Sequence, residues 1–296
     1  MIRDLAYRIS QEEAGLSIER FLKRRGYSKH IIIQVRNAGG ITVDGSHAIT
    51  PQILKEGETL QIHLEERESS QKVVPTQLPL NLVYEDEDLM IVNKPANMPI
   101  HPSQGNFENT LANAVAWYYQ QKGQPYVYRA INRLDRDTTG LLILAKHGLS
   151  GCILSQMGSR REIHREYLAI AMGKVDSQGR IDTPIGRAGQ STVLRCIDWE
   201  HGDPACTHYE RLLYREDLDC SLVRLHLETG RTHQIRVHMK HIGHPLPGDF
   251  LYHPDYRLME RQALHSHKLE FLHPITGEAM CFEAPMPEDM KWILES

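Results

Sequence analysis

The stretch "INRLDRDTTGLLILAK", residues 131–146, decides the fold, because a polar cluster with two acidic residues runs directly into an apolar segment. Residues 141–144 form a short, continuous apolar run, which is typical of a strand covered on both faces. Residues 138–140 predict a turn before it. Asp135 and Asp137 therefore lie in a loop at the mouth of a buried strand, where neighbouring arginines keep a poorly solvated carboxylate ionised. Such a carboxylate is a good nucleophile or base, although the same Arg–Asp pairs in a surface loop would only fix a turn.

The composition is that of a globular protein. The 296 residues are 41% hydrophobic and 24% charged, which allows one large core and a small accessory unit. No stretch approaches the roughly 18 apolar residues of a membrane-spanning helix, and the N-terminus lacks the apolar core of a secretory signal. The five cysteines are widely spaced and include no C-x-x-C pair, which argues against a disulfide framework or a zinc ribbon. We therefore expect a cytoplasmic protein without a membrane partner.

Basic residues are segregated along the chain, although the formal net charge is −4. Residues 20–36 contain six Lys or Arg and no acid, and residues 229–245 contain three Lys or Arg and four His, again without an acid. Binding to a polyanion depends on the local field and not on net charge. The pattern therefore permits a nucleic-acid partner, while an ordinary solvated basic helix would give the same counts.

Residues 13–64 predict a small α/β module of two helices followed by strands. Ser17 and Ser28 are the predicted N-caps of the helices, and Gly26 ends the first one. Residues 60–64 alternate between apolar and polar side chains, which predicts a strand. The basic residues of the two helices that we consider candidates for phosphate contacts are Lys23, Arg24, Arg25, Lys29 and Arg36.

Residues 65–79 are polar, contain two prolines and show no periodicity, so they predict a linker. The remainder, residues 80–296, contains many short apolar runs separated by Gly and Pro turns. A few helical stretches interrupt these runs, notably "TLANAVAWYYQQ". This pattern predicts an α+β domain in which helices pack on a mixed sheet.

The stretch "LETGRTHQIRVHMKHIGHPLPGD", residues 227–249, predicts a helix that Thr232 caps at its N-terminus. Its apolar residues share one face, which we expect in the core, and His233, Arg236 and Lys240 share another, which we expect to point outward. A cationic face at a positive helix N-terminus suits phosphate groups or an anionic side chain. An ordinary amphipathic helix with a basic exposed face is the alternative.

The four histidines of this segment invite a zinc interpretation. No carboxylate or cysteine falls at the spacing of helix ligands, and H-E-x-x-H is absent. We therefore expect no metal, and we expect these histidines to bond locally or to phosphate.

Two further residues are candidates for a binding site. Tyr167 lies two residues after Arg165, so the two share one face of a predicted strand. A tyrosine at a pocket floor can stack on a base, although a core tyrosine is the alternative. Lys94 ends another predicted strand in "VNKPANMPIHP", where it either contacts phosphate or shapes the edge of the sheet.

Taken together, these stretches resemble one family, the RluA-type pseudouridine synthases. "NKPANMPIHP" is similar to the family's lysine-proline loop, "NRLDRDTTGLLILAK" to its catalytic motif and "REYLAIAMGKV" to its tyrosine motif. "LETGRTHQIRVHMKHIGHPLPGD" resembles its arginine motif, and "RQALHSHKLEFLHPITGE" its C-terminal segment. The motifs stand in the family's order across residues 80–290. The resemblance implies a mixed, mainly antiparallel central sheet with flanking helices, and residues 13–64 resemble a small RNA-binding module of a small-subunit ribosomal protein.

The resemblance also implies roles for individual residues. Asp135 takes the position of the catalytic aspartate, and Tyr167 that of the tyrosine under the uracil. Arg133 occupies the position of the arginine that enters the RNA when the target base leaves the stack. Arg236 is the expected ion-pair partner of Asp135, with Arg231 as the alternative. The remaining expected RNA contacts are Arg231, His233, Lys240 and Lys94.

The family reaction detaches uracil from its ribose, rotates it and rejoins it through carbon. The product is an isomer, so the resemblance implies no redox cofactor, nucleotide or metal, and the chain has no P-loop or G-x-G-x-x-G fingerprint. One carboxylate suffices, which we assign to Asp135, and we expect Asp137 to be structural. The expected substrate is RNA, with large-subunit ribosomal RNA favoured over transfer RNA, and we expect a monomer.

Two other functions compete with this interpretation. A non-catalytic RNA-binding or assembly factor on the same fold predicts loss of Asp135 or Tyr167, and both are present. A glycoside hydrolase that uses Asp135 and Asp137 predicts two carboxylates at a defined separation and aromatic sugar platforms. A pair two residues apart and an aromatic content of 7% fit that class poorly.

Overall fold

The computed structural model describes residues 1–295, and the N-terminal part forms a small module with its own core. Its elements are β1 (Ile2–Arg8), α1 (Ile18–Arg24), α2 (Lys29–Asn37), β2 (Ile41–Val43), β3 (Ser46–His47) and β4 (Thr59–Glu65). The strands form one antiparallel sheet in the order β1-β4-β2-β3. Ser17 and Ser28 cap the helices as predicted, because their hydroxyls accept the backbone N–H groups of Arg20 and Ile31.

The expected module boundary at residue 13 is wrong. β1 pairs with β4 along its whole length, from Ile2 opposite Glu65 to Arg8 opposite Thr59, so the sheet begins at Ile2. Only Leu5 of this strand is buried. A strand with a single buried apolar residue shows no alternation in the sequence, and this is why the pattern missed it.

The rest of the chain forms a large mixed sheet with helices on it. Its elements are β5 (Leu82–Glu85), β6 (Leu89–Lys94), α3 (Leu111–Gln121), β7 (Thr139–Ala145), α4 (Gly148–Ser159), β8 (His164–Met172), β9 (Gln178–Asp182), β10 (Ile185–Arg187), β11 (Arg195–Ile197), β12 (Cys206–Arg215), β13 (Cys220–Leu227), α5 (Gln234–His241), β14 (Leu264–Leu272), β15 (Ala279–Glu283) and α6 (Glu288–Glu295). The strand order is β5-β6-β7-β14-β8-β13-β12-β9, with β15 paired to β14, and β10 and β11 form a separate hairpin.

Strand β7 lies inside this sheet and is buried along its full length, as the apolar run predicts. It pairs antiparallel with β6 and parallel with β14, which is the one parallel pair within residues 1–295. At Gly140 (φ 112°) the two backbones approach so closely that a Cβ atom would collide with Ser266. The strand begins at Thr139, so the turn that we predict at residues 138–140 lies earlier, at residues 135–138, where Thr138 N–H bonds to the carbonyl of Asp135.

The expected linker, residues 65–79, has no regular structure after β4 but is hydrogen-bonded to the large domain. Ser70 N–H bonds to the carbonyl of Tyr126, and the hydroxyls of Ser69 and Ser70 accept N–H groups of Tyr126 and Tyr128. Further along, Thr76 N–H bonds to the carbonyl of Asn113 on α3. Residues 65–79 are therefore held against the large domain by hydrogen bonds and do not form a free linker.

The module is fixed to the large domain by buried charges and apolar contacts. Arg3 of β1 donates two hydrogen bonds to Asp88, which also bonds to His147. Glu66 accepts two hydrogen bonds from Arg129. Leu149 of α4 packs into the core of the module. No helix within residues 1–295 combines the length and apolar character needed to cross a bilayer.

His265 links β14 to the start of β7 and is 1% exposed. Its Nδ1 bonds to the hydroxyl of Thr139 at 2.8 Å, and its Nε2 lies 3.3 Å from the carbonyl oxygen of Ala284. Burial lowers the pKa of this imidazole from 6.5 to about 4. His265 is therefore neutral in the folded protein at pH values where the unfolded chain binds a proton.

We expect the free energy of unfolding to fall as pH is lowered from 6.5 to about 4, since the unfolded state takes up a proton that folded His265 excludes. The His265→Gln variant lacks this titration. The stability gap between wild type and variant should shrink by up to about 3 kcal/mol across that range, as measured by urea denaturation at a series of pH values. A gap that stays constant with pH would contradict this.

Candidate active site

Asp135 lies in the loop before β7, and its carboxylate is paired with an arginine from a different part of the sheet. Its Oδ2 accepts a hydrogen bond of 2.7 Å from Nη1 of Arg236 on α5, and its side chain is 27% exposed. The alternative partner, Arg231, points elsewhere: its Nε donates to the carbonyl of Pro204, and its guanidinium lies 3.7 Å from Asp203. Of the two arginines that the sequence leaves open, Arg236 forms the ion pair.

Arg236 is itself held by a second carboxylate. Its Nε and Nη2 donate hydrogen bonds of 2.7 Å each to the two oxygens of Asp249, and both side chains are almost fully buried. Asp249 Oδ1 also accepts the backbone N–H groups of Leu251 and Tyr252. Burial lowers the pKa of Arg236, but the bonds to Asp249 and Asp135 outweigh it and raise the pKa overall. Arg236 therefore remains a permanent cation beside Asp135.

Aromatic side chains and a neutral histidine surround this ion pair. The guanidinium of Arg236 lies 5.0 Å from the ring centroid of Tyr252 and 5.6 Å from that of Phe250. His233 Nε2 lies 3.8 Å from Asp135, and its Nδ1 bonds to the hydroxyl of Tyr252. Burial lowers the pKa of His233, so its ring is uncharged at neutral pH. The ion pair of Asp135 is therefore formed with Arg236 and not with His233.

A cavity of about 220 Å³ opens beside Asp135. This is smaller than the roughly 300–1,000 Å³ of typical small-molecule sites. Tyr167 of β8 forms part of its wall and is 4% exposed. Arg133 is exposed at its rim. The other charged or polar side chains that line the cavity are Asn132, Thr138, Arg165, Arg231, His233, Gln234 and Arg236.

The family model for RNA pseudouridylate synthase matches residues 88–241, just over half of the chain, and this segment includes Asp135, Tyr167 and Arg236. The chain belongs to the RNA pseudouridylate synthase family. It is 41% identical over 265 residues to an uncharacterized RNA pseudouridine synthase of Bacillus subtilis (strain 168), YhcT, which covers 89% of this chain and 87% of that one.

Two further relatives support the same assignment. The synthase is 40% identical over 253 residues to ribosomal large subunit pseudouridine synthase D of Escherichia coli (strain K12), covering 81% and 76% of the two chains. Among solved structures, human RNA pseudouridylate synthase domain containing 1 matches with a TM-score of 0.59 and 28% identity, over 70% of this chain and 83% of that one. The expected α+β fold and the enzyme class are confirmed.

The helix that carries Arg236 begins later than expected. Thr232 does not cap it; α5 starts at Gln234, and His233 precedes it with a left-handed backbone (φ 58°). The side chain of Gln234 binds the preceding turn, accepting from Arg231 N–H and the Thr229 hydroxyl. The prediction that the cationic face points outward is also wrong for Arg236, which is buried. It holds for Lys240, which is exposed.

Lys94 does not contact solvent, and its expected role as a phosphate ligand is wrong. The side chain is 1% exposed, and its Nζ donates to the carbonyls of Pro95, Met98 and Arg136 at 2.7, 2.9 and 2.8 Å. Burial lowers the pKa of Lys94 to about 7, against the opposing attraction of the Asp137 and Asp135 carboxylates. Because Arg136 belongs to the loop that carries Asp135, Lys94 connects the end of β6 to that loop.

Asp137 also stabilises the loop. It is buried and accepts hydrogen bonds from the side chain of Arg136 and from the backbone N–H of Asn97. It does not line the cavity. Asp137 is therefore not placed as the second carboxylate that a glycoside hydrolase requires.

The basic residues of the N-terminal module differ in whether they are free to contact phosphate or already form ion pairs within the module. Lys23 pairs with Glu19 within α1, and Arg25 pairs with Glu13. The remaining three candidates, which are exposed and form no ion pair inside the described part of the chain, are Arg24, Lys29 and Arg36. The RNA-binding role of the module stays a prediction.

Two groups of possible metal ligands lie away from the cavity in residues 1–295. In one group Cys206, His208 and Glu228 lie close together, and Arg180 donates to the Cys206 sulfur at 3.1 Å. The other group consists of Asp86, Asp88 and His273. In this second group Asp88 carries the buried ion pair to the N-terminal module. Both groups are therefore engaged with an arginine.

The sequence reasoning missed Asp249 and Arg165. Asp249 is the last residue of the arginine motif and directly follows Gly248. An acidic residue at the end of a motif rich in basic residues could have indicated a second ion-pair partner for Arg236. Arg165 was noticed only as a neighbour of Tyr167 on the strand, and nothing in the sequence indicated that it lines the cavity.

Replacing Lys94 with Met should lower the free energy of unfolding by about 3 kcal/mol or more, because three carbonyl oxygens lose their donor inside the protein. Urea denaturation measures this difference. Lys240→Met, at an exposed position, is the matched control and should change stability by less than about 0.5 kcal/mol. Equal effects of the two substitutions would refute the structural role of Lys94.

Asp249→Asn should reduce kcat at least tenfold and destabilise the protein by about 3 kcal/mol, since it removes one of two carboxylates that balance a buried guanidinium. Tritium release from RNA labelled at uracil C5 and thermal unfolding measure the two effects. Asp182→Asn is the control, because Asp182 and Arg180 form an ion pair in which both side chains are more than half exposed, and such pairs contribute little. An Asp249→Asn enzyme with wild-type kcat would contradict this account of Arg236.

Proposed function

We propose that this synthase isomerises uridine in large-subunit ribosomal RNA, with Asp135 as its single catalytic carboxylate. The observation that carries the proposal is the 2.7 Å ion pair between Asp135 and Arg236, set at a cavity of about 220 Å³ whose wall includes Tyr167. An enzyme that must break and remake a glycosidic bond needs an ionised carboxylate at the sugar and a surface that holds the free base. Both features meet in this cavity.

The RNA substrate is proposed from the relatives and from the local charge. The relative from Escherichia coli is named ribosomal large subunit pseudouridine synthase D, at 40% identity. The rim of the cavity carries Arg133 and Arg231, both exposed. Exposed arginines are suited to phosphate because their planar donors match its oxygens. Ribosomal RNA is therefore our first choice of substrate, and transfer RNA the second.

In the proposed reaction, Asp135 acts on the ribose while the C1′–N1 bond to uracil breaks. The carboxylate either attacks the sugar or removes a proton from it, and in both routes it must be ionised, as Arg236 ensures. The detached uracil then turns, and its C5 bonds to C1′. This displaces Asp135 from the sugar in the first route, and in the second route Asp135 returns its proton to the sugar. C5 finally loses its hydrogen as a proton and N1 gains one, so the product is an isomer. No water molecule has to be activated, which explains why one carboxylate suffices where a glycosidase needs two.

The target uridine has to leave the RNA stack before it reaches Asp135, at a cost of a few kcal/mol. We propose that Arg133, exposed at the rim, offsets part of this cost by filling the vacancy and pairing with phosphate. Tyr167 faces the cavity from β8 and can hold the uracil ring by stacking. The exposed cations of the N-terminal module would add sequence-tolerant contacts to phosphate that weaken with salt.

We also propose that the synthase acts as a monomer in the cytoplasm. Its five cysteines are free thiols in the structure, which suits a reducing compartment. Light scattering of the purified protein tests the oligomeric state.

The decisive assay for the function uses transcribed large-subunit ribosomal RNA tritiated at C5 of uracil. Wild-type enzyme should release tritium, and Asp135→Asn should lower the rate at least 10³-fold, because it removes the group that acts on the sugar. Asp217→Asn, which alters an exposed carboxylate paired with Arg215, should retain the wild-type rate. Release from transfer RNA but not from ribosomal RNA would overturn the substrate, and release by Asp135→Asn would overturn the mechanism.

A further inference from the structure

Three side chains of different chemistry meet beside β12 and β13, outside the cavity that holds Asp135. Cys206 and His208 lie two residues apart on β12, so they share one face of the strand. Glu228 directly follows β13, and its N–H bonds to the carbonyl of Cys206, which places it opposite that residue. None of the three lines the cavity. A thiol, an imidazole and a carboxylate therefore occupy adjacent positions on two paired strands.

The donor atoms of these side chains already lie close to one another. Sγ of Cys206 is 3.7 Å from Nε2 of His208 and 3.2 Å from Oε1 of Glu228. Nε2 of His208 is 2.7 Å from the same carboxylate oxygen. A tetrahedral zinc ion, about 2.3 Å from sulfur and about 2.0–2.2 Å from nitrogen or oxygen, separates such donors by roughly 3.3–3.6 Å. Small movements of the side chains therefore convert this hydrogen-bonded group into a set of three metal ligands.

A positive charge already lies beside the sulfur. Nε of Arg180 donates to Sγ of Cys206 at 3.1 Å, and Nη2 of the same guanidinium pairs with Asp182 at 2.7 Å. Because the Arg180 side chain is 54% exposed, it can turn away from the sulfur and keep Asp182 as its partner. The environment of the sulfur thus accommodates a cation, and Arg180 competes with a metal ion for this position.

We propose that Cys206, His208 and Glu228 form a binding site for Zn²⁺, in which water completes the coordination. Thiolate and imidazole are ligands that suit zinc, whereas Mg²⁺ and Ca²⁺ take oxygen ligands. The thiol donates its hydrogen to Glu228 in the metal-free protein. On binding, this proton passes to solvent as the bond from sulfur to zinc forms. The oxidation states of sulfur and zinc do not change.

The site is connected to the segment that carries Arg236. The carbonyl of Cys206 accepts a hydrogen bond from the side chain of Gln234, and its N–H bonds to the hydroxyl of Thr229. Gln234 is the first residue of α5, and Thr229 lies in the segment that leads into that helix. Zinc bound at Cys206 and Glu228 therefore stabilises the end of β13 and the start of α5. This role is structural and does not rest on the proposed reaction.

The test uses the full-length protein, which is freed of metal with a chelator and titrated with Co²⁺ as a spectroscopic probe. Cobalt bound to a thiolate shows an intense charge-transfer absorption. We expect one equivalent to bind and Zn²⁺ to displace it, because zinc binds such ligands more tightly than cobalt does. Cys206→Ser should abolish the absorption. His208→Gln should weaken binding at least about tenfold, and it tests the site even if the buried Cys206→Ser variant does not fold, since His208 is 44% exposed.

Arg180→Gln gives the most specific outcome, because it removes the competing guanidinium and should tighten metal binding severalfold. Arg67→Gln is its matched control: it removes one charge from a side chain that is 81% exposed and pairs with Glu65, and it should leave the affinity unchanged. Cys281→Ser removes an exposed free thiol elsewhere in the chain and should keep the absorption. Absence of the absorption in the wild type, its persistence in Cys206→Ser, or unchanged affinity in Arg180→Gln overturns the proposal.

Thermal unfolding measures the structural effect of the ion. Zn²⁺ should raise the Tm of the wild-type protein, because it binds the folded state, and it should leave the Tm of His208→Gln nearly unchanged. The melting curves of the metal-free variants show that each one is folded before the metal is added. An equal rise in both proteins would place the bound zinc elsewhere, which also overturns the proposal.

Discussion

A buried guanidinium shared between two carboxylates is the interaction on which the active site depends. Arg236 is 2% exposed, and it gives two hydrogen bonds to Asp249 and one to Asp135. Asp249 alone can balance its charge, since that pair is bidentate and deeply buried. In the proposed reaction, Asp135 can therefore act on the sugar while Asp249 continues to balance the buried cation. The geometry thus leaves Asp249 to hold Arg236 and Asp135 available for the proposed reaction.

The fold brings these groups together from distant parts of the chain. Asp135 precedes β7 in the middle of the sheet, whereas Arg236 arrives on α5 after the strands of the other half. Lys94 binds the loop that carries Asp135, at the carbonyl of Arg136, and fixes its path. The other end of β7 leads to His147, which bonds to the same Asp88 that anchors the N-terminal module. The module and the active site thus occupy opposite ends of one rigid strand, so the fold fixes the direction of the basic helices relative to Asp135.

Strong local patterns predicted much of the architecture from sequence. The apolar run of β7 and the capped helix α3 were confirmed, because their burial is visible in the spacing of their residues. Strand β1 was missed since only Leu5 is buried, and α4 was missed since three of its twelve residues are glycine, which disfavours helices. His233 adopts its left-handed backbone beside a bond to Tyr252. Lys94 is buried because three carbonyls converge on it. Such tertiary contacts leave no periodic signal in the sequence. The pairing of Arg236 with Asp249 is another tertiary contact that periodicity cannot predict.

The most direct measurement of the central claim is an experimental structure of the Asp135→Asn enzyme bound to uridine-containing RNA. The account predicts an extruded uridine in the cavity, with its ring on Tyr167 and its C1′ about 3–3.5 Å from the side-chain oxygen at position 135, the distance of a reactive geometry. A bound RNA whose uridine stays stacked, or whose sugar lies beyond contact of position 135, would contradict it.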